Sequence, residues 1–151
     1  MIPRIHLPER DRRNRDAKQF GRAWLGLAGA LGLHVTDEAL TDFLSIYNPA
    51  VLEIRARLPW LPLPTFSFRV WIVGLAAGIA LLFALSPFAF RGRRWLAVLA
   101  VPFSVMMIGN GLLHVGSSIY LGRLMPGVCS SPILIAAALL ALIGAMRLLR
   151  T

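Results

Sequence analysis

The stretch VWIVGLAAGIALLFALSPFAF, Val70–Phe90, runs for 21 residues without a charge. About 20 apolar residues in a helix cross a hydrocarbon core of ~30 Å. Two more such runs follow. Trp95–Gly122 carries no charge beyond the titratable His114, and Val128–Met146 carries none. The 151-residue chain is 57% hydrophobic and only 15% charged, with a mean hydropathy of +0.68. Soluble domains carry roughly 25% charged residues, so the balance points to a polytopic membrane protein.

A fourth run, Phe20–Val35, is shorter and is interrupted by Arg22. It spans only if its helix continues to about Ser45. On that basis the expectation is an all-α fold, a four-helix transmembrane bundle over residues 19–151 with helices at about 19–45, 66–90, 94–120 and 131–149. Residues 1–18 form a basic segment with two prolines, expected to be disordered or surface-lying. Tyr47-Asn48-Pro49 reads as the stop of the first helix, because proline disfavours helix at the preceding residue. A proline-rich outer loop is expected over 46–65, with a short interfacial helix from Pro49 in which Glu53 and Arg57 pair at i, i+4. Three prolines at 59, 62 and 64 exclude regular helix there, and leave either an extended cap over the bundle or a stiff linker. Gly74 and Gly78 form a small-xxx-small step, expected to let helices approach closely. Pro102 is expected to kink the third helix.

Arginine placement sets the expected orientation. Twelve of the 16 basic residues fall in the N-terminal segment, the loop at Arg91–Arg94 and the C-terminal tail. These regions share one side of a four-span topology, so both termini are expected on the cytoplasmic side of the cell membrane. The formal charge of +9 then reflects topology and attraction to anionic lipid. No aromatic interleaving accompanies the basic segment, so no nucleic-acid role is expected. The long basic start and the lack of an A-x-A site argue for a retained first helix rather than a signal peptide. The single cysteine, Cys129, excludes an intramolecular disulfide and reads as a packing residue.

His34-Val-Thr-Asp37-Glu38 places an imidazole and two carboxylates at i, i+3 and i+4, on one helix face. Ionisable groups within a membrane segment are costly and mark functional sites. Asn110 and His114 stand at i, i+4 in another apolar run. Counting from Gln19, His34 lies about 22 Å along its helix and Glu38 about 28 Å. Counting from Arg94, Asn110 lies about 24 Å along and His114 about 30 Å. The two clusters share a depth, and adjacent packing of their helices would join them.

Joined, His34, Glu38 and His114 make a ligand set for a divalent transition metal, Zn²⁺, Fe²⁺ or Mn²⁺. Asp37 would then be a general base or orient an imidazole, and Asn110 a polar orienter. A metal-free pocket and a purely structural cluster, with Asn110 and His114 as hydrogen-bonding glue, remain open alternatives.

At these residues the chain resembles the HXXEE domain family of integral-membrane proteins. His34, Asp37 and Glu38 match its His-x-x-Glu-Glu element, with Asp in place of the first Glu. Asn110, His114, Tyr120 and Pro126-Gly127 look like its later Asn-x-x-x-His and Tyr/Pro-Gly region. The resemblance covers residues 20–149 and implies a polytopic membrane protein whose two clusters form one site. The shorter reach of Asp37 makes Glu38 the better ligand.

Two functions follow as expectations. One is a membrane-embedded metalloenzyme acting on membrane lipid or a lipid-like small molecule. The other is a non-catalytic binding or accessory protein whose polar cluster stabilises the bundle.

Overall fold

A computed structural model describes residues 9–150, and every regular element in that range is helical. The elements are α1 (Glu9–Leu40), α2 (Leu44–Arg57), α3 (Phe68–Phe90), α4 (Arg94–Leu121) and α5 (Ser131–Arg150). Three of them, α3, α4 and α5, are long and apolar enough to cross a membrane. Helix α1 has the length, with 32 residues, but not the apolarity. Its first half is densely charged, and Arg22, Asp37 and Glu38 interrupt the rest. The expected count of four spans therefore holds for three helices by length and composition.

Helix α1 starts at Glu9, ten residues before the expected start. Residues 9–18, expected to be irregular, are helical, while 1–8 lie outside the described residues. Glu9 and Asp11 sit in the first turn, where carboxylates favour the positive end of the helix dipole. Ala17, Phe20, Trp24 and Leu27 then bury one stripe at helical spacing. The helix also stops earlier than expected, at Leu40. Asp42 takes a left-handed backbone, φ 55°, which Asp tolerates better than most residues. The Ser45 hydroxyl fixes the turn by donating to the Asp42 carbonyl at 2.8 Å. Tyr47-Asn48-Pro49 is consequently no stop but lies within α2.

Helix α2 takes up much of the expected 46–65 loop. Its Arg57 and Glu53 pair at 2.6 Å on an exposed face. The extended segment beyond it is held down by side chains of α2. Asn48 Nδ2 donates to the Phe66 carbonyl at 2.9 Å, and the Phe66 amide donates to Asn48 Oδ1 at 3.0 Å. The Tyr47 hydroxyl donates to the Pro64 carbonyl at 3.1 Å.

Helix α1 packs against α3 and α5, and α5 packs against α4. Small residues make these approaches close. Gly144 brings α5 so near α1 that an added Cβ would lie 3.2 Å from Phe20 Cα. Gly111 likewise admits Ile135 of α5 against α4. Trp24 donates its indole N–H to the Leu82 carbonyl at 2.8 Å, tying α1 to α3. Although only a short turn joins α3 to α4, the two helices scarcely touch. Gly74 and Gly78 do not serve close packing, because nothing lies within 4 Å of a Cβ added at either. A small-xxx-small step permits approach but does not supply the neighbour.

Candidate metal centre

The face of α1 that carries His34 and Glu38 turns into the bundle, leaving the two residues 1% and 5% exposed. Helix α4 brings His114 to the same point from across the bundle. Its Nε2 lies 3.1 Å from Glu38 Oε1, and His34 Nε2 lies 3.6 Å from the same oxygen. The two imidazoles stand edge to face with centroids 4.9 Å apart. Ligand atoms of His34, Glu38 and His114 all lie within 4.8 Å of one another, so the group could hold a metal ion. Bonds of ~2.1 Å to a four-coordinate ion put neighbouring donors about 3.4 Å apart, close to both distances at Glu38.

Adjacent packing of α1 and α4 proves unnecessary. The two are not neighbouring helices; they face each other diagonally, and their long side chains meet in the middle.

Asp37 points elsewhere. Its Oδ2 accepts from the Ser130 amide at 2.9 Å and from the Ser130 hydroxyl at 2.7 Å, at the start of α5. The same hydroxyl lies 2.9 Å from His34 Nδ1. Hydrogen-bond logic then fixes the tautomer of His34. An ionised carboxylate and a carbonyl only accept, so the hydroxyl proton of Ser130 goes to Asp37 Oδ2 or, at 3.1 Å, to the Gly127 carbonyl, and in neither case to His34. Ser130 Oγ must then accept, and His34 Nδ1 must donate. That leaves His34 Nε2 with a free lone pair, and this atom is buried without a hydrogen-bond partner. A buried polar atom left unpaired calls for an explanation, and a cation held by this nitrogen would supply one. The Asp37–Ser130–His34 chain has the form of the outer-shell bonds that orient metal-bound imidazoles.

Ser130 did not emerge from sequence reasoning, since it is 96 residues from its partner His34. The Ser130-Ser131-Pro132 run signals a helix start but says nothing of which imidazole it meets. Gly127, quoted above only with Pro126 for the family resemblance, also packs against the site. With φ +79°, it packs so closely on the site that an added Cβ would lie 3.0 Å from Glu38 Cγ, 3.0 Å from His34 Cε1 and 3.2 Å from His114 Cε1. Cys129, expected to pack, is exposed in the turn before α5. Its neighbours Gly127 and Ser130 take the inward positions of that turn.

Asn110 sits one turn before His114 on α4, and its Oδ1 is also buried without a partner. It lines a cleft of about 670 Å³ together with His34 and Glu38. The remaining walls come mostly from apolar side chains of α1, α3 and α4, and include Gly74 and Gly78. The cleft occupies the gap where α3 stands away from α4. Phe43, Tyr47, Phe66 and Trp71 close one end of it as an aromatic group. Phe43 also reaches His114, with ring centroids 5.7 Å apart.

No protein-family model matches this chain, and neither a curated protein nor a solved structure matches it.

Proposed function

We propose that the protein is a membrane metalloenzyme in which His34, Glu38 and His114 hold one divalent transition metal and act on a lipid-like substrate. The observation that carries this reading is the buried, unpartnered Nε2 of His34, opposed by Glu38 and His114. A two-imidazole, one-carboxylate set suits zinc and non-haem iron(II), and leaves coordination positions open for water or substrate. Asp37 acts through Ser130 as an orienting group, and Asn110 faces the cleft to position substrate. With Glu38 on the ion and Asp37 on Ser130, no further carboxylate or imidazole lines the cleft among the described residues. An ion held by these three residues would supply an activated water for proton transfer. The lipid-like substrate follows from the apolar walls. The arginine distribution supports a fourth span through α1, a cell-membrane location and cytoplasmic termini.

Metal analysis of the purified protein tests the centre. About one zinc, iron or manganese ion per chain is expected in wild type, and a folded His34→Ala or His114→Ala variant should lose it. Wild-type protein without a transition metal, under conditions that retain weakly held ions, would overturn the proposal.

A further inference from the structure

We infer that the cleft between α3 and α4 takes a single-chain amphiphile, a fatty acid, alcohol or ester, with its oxygen-bearing head at the metal centre and its chain along Gly74 and Gly78. The inference rests on the metal reading for the position of the head, and on the cleft itself for the chain.

Three features select this occupant. The first is where the polar groups lie. His34 and Glu38 are on α1 and Asn110 on α4, whereas α3 offers only apolar and glycine positions. Gly32 of α1 lies beside Ile79, with 3.9 Å between an added Cβ and Ile79 Cγ2. Helices α1 and α3 run antiparallel, so Glu38 falls toward the Leu75 level. The wall from Gly78 to Leu82 then continues as apolar surface away from the centre. From Gly74 to Leu82 is eight residues, about 12 Å of helix. A staggered alkyl chain with C–C bonds near 1.52 Å advances ~1.25 Å per carbon, so about ten carbons match that length.

The second feature is width. The glycines remove side chains where α3 faces the gap, leaving a smooth lane. A volume of about 670 Å³ falls within the roughly 300–1,000 Å³ range of pockets for one small molecule. One chain of that length fits within it. The third feature is charge. No Lys or Arg lines the cleft among the described residues. A phosphodiester head would find no protein cation, whereas a carboxyl, hydroxyl or ester oxygen needs only the ion and Asn110. The aromatic group lies on the metal-centre side, where Phe43 reaches His114, and leaves the Gly78–Leu82 direction for the chain.

The test uses full-length protein in phosphatidylcholine nanodiscs with a palmitic acid probe carrying a mid-chain diazirine. After photolysis, peptides are mapped by mass spectrometry and metal content is measured in parallel. Labelling of α3 and α4 peptides lining the cleft is expected to saturate and to fall at least tenfold with excess unlabelled palmitate. Lipid-facing α5 residues such as Leu139 and Leu140 supply the unsaturable background. Gly74→Leu and Gly78→Leu fill open space, and each should reduce cleft labelling to that background with metal content unchanged. Cleft labelling no more saturable than that of α5 would overturn the inference, since the diacyl matrix lipid would then fill the cleft as well. Labelling that persists in both glycine variants would also overturn it. Saturable, glycine-dependent labelling of a metal-free protein would support the chain site and overturn the metal reading alone.

Discussion

At the scale of single residues, the site depends on groups that touch no ligand atom. Ser130 joins Asp37 to His34 Nδ1 and so favours the tautomer whose lone pair lies on Nε2. Ser130→Ala should keep all three ligands and weaken metal affinity by roughly 10–100-fold, the usual effect of removing an outer-shell partner. Competition against a chromogenic chelator measures this, and unchanged affinity would remove Ser130 from the site. Gly127→Ala adds a methyl group 3.0 Å from both His34 and Glu38 at a positive φ. The left-handed backbone alone costs about 1–2 kcal/mol, so a lower Tm is expected together with weaker metal binding. The His34–Glu38 pair and the shared depth of His114 were legible in the sequence because helix rise and period are local properties, while their meeting depended on how α1 and α4 face each other. Ser130 was not, and Gly127 was marked only by the family resemblance, because their roles depend on where the turn before α5 lands. The small side chain of Asp37 likewise suits a serine beside it as well as an ion.

At the scale of elements, helices were legible wherever apolar runs were long. Their ends were not, because the ends depend on tertiary contacts and turn chemistry. Proline at 49 gave a false stop, while the real break sits at a left-handed Asp42 that no strong breaker marks. Gly74 and Gly78 were misread for a related reason. The pattern reports missing side chains, and only the splay of α3 decides whether a helix or an open lane fills the space. The two hydrogen bonds between Asn48 and the backbone of Phe66 hold the proline-rich segment on α2. A lost pair of partly buried hydrogen bonds costs about 1–3 kcal/mol. Asn48→Ala should therefore speed tryptic cleavage at Arg57 by at least about fivefold. An unchanged cleavage rate would show that the segment is held by other contacts.

At the scale of the whole molecule, most of the described basic residues gather at one end. Arg10, Arg13 and Arg91 line one hollow there, and Arg147 reaches Gln19 at 3.5 Å. The metal centre lies at the other end, in the same turn region as Cys129. That cysteine is the chain's only one and is exposed, so it reports orientation directly. A membrane-impermeant maleimide should label it in right-side-out vesicles and leave it untouched in inverted ones. The reverse pattern would overturn the arginine-based topology. The diagonal relation of α1 and α4 has a thermodynamic consequence of its own. An ion held by both would act as a cross-brace between two helices that both pack on α5 and meet each other through apolar side chains such as Trp24 and Phe103. Bound only by the assembled state, it would add about 2.7 kcal/mol of unfolding free energy at a free concentration 100 times its Kd. Melting temperature should accordingly climb with the logarithm of free metal in wild type and stay flat in His114→Ala, making the ion a strut as well as a reagent.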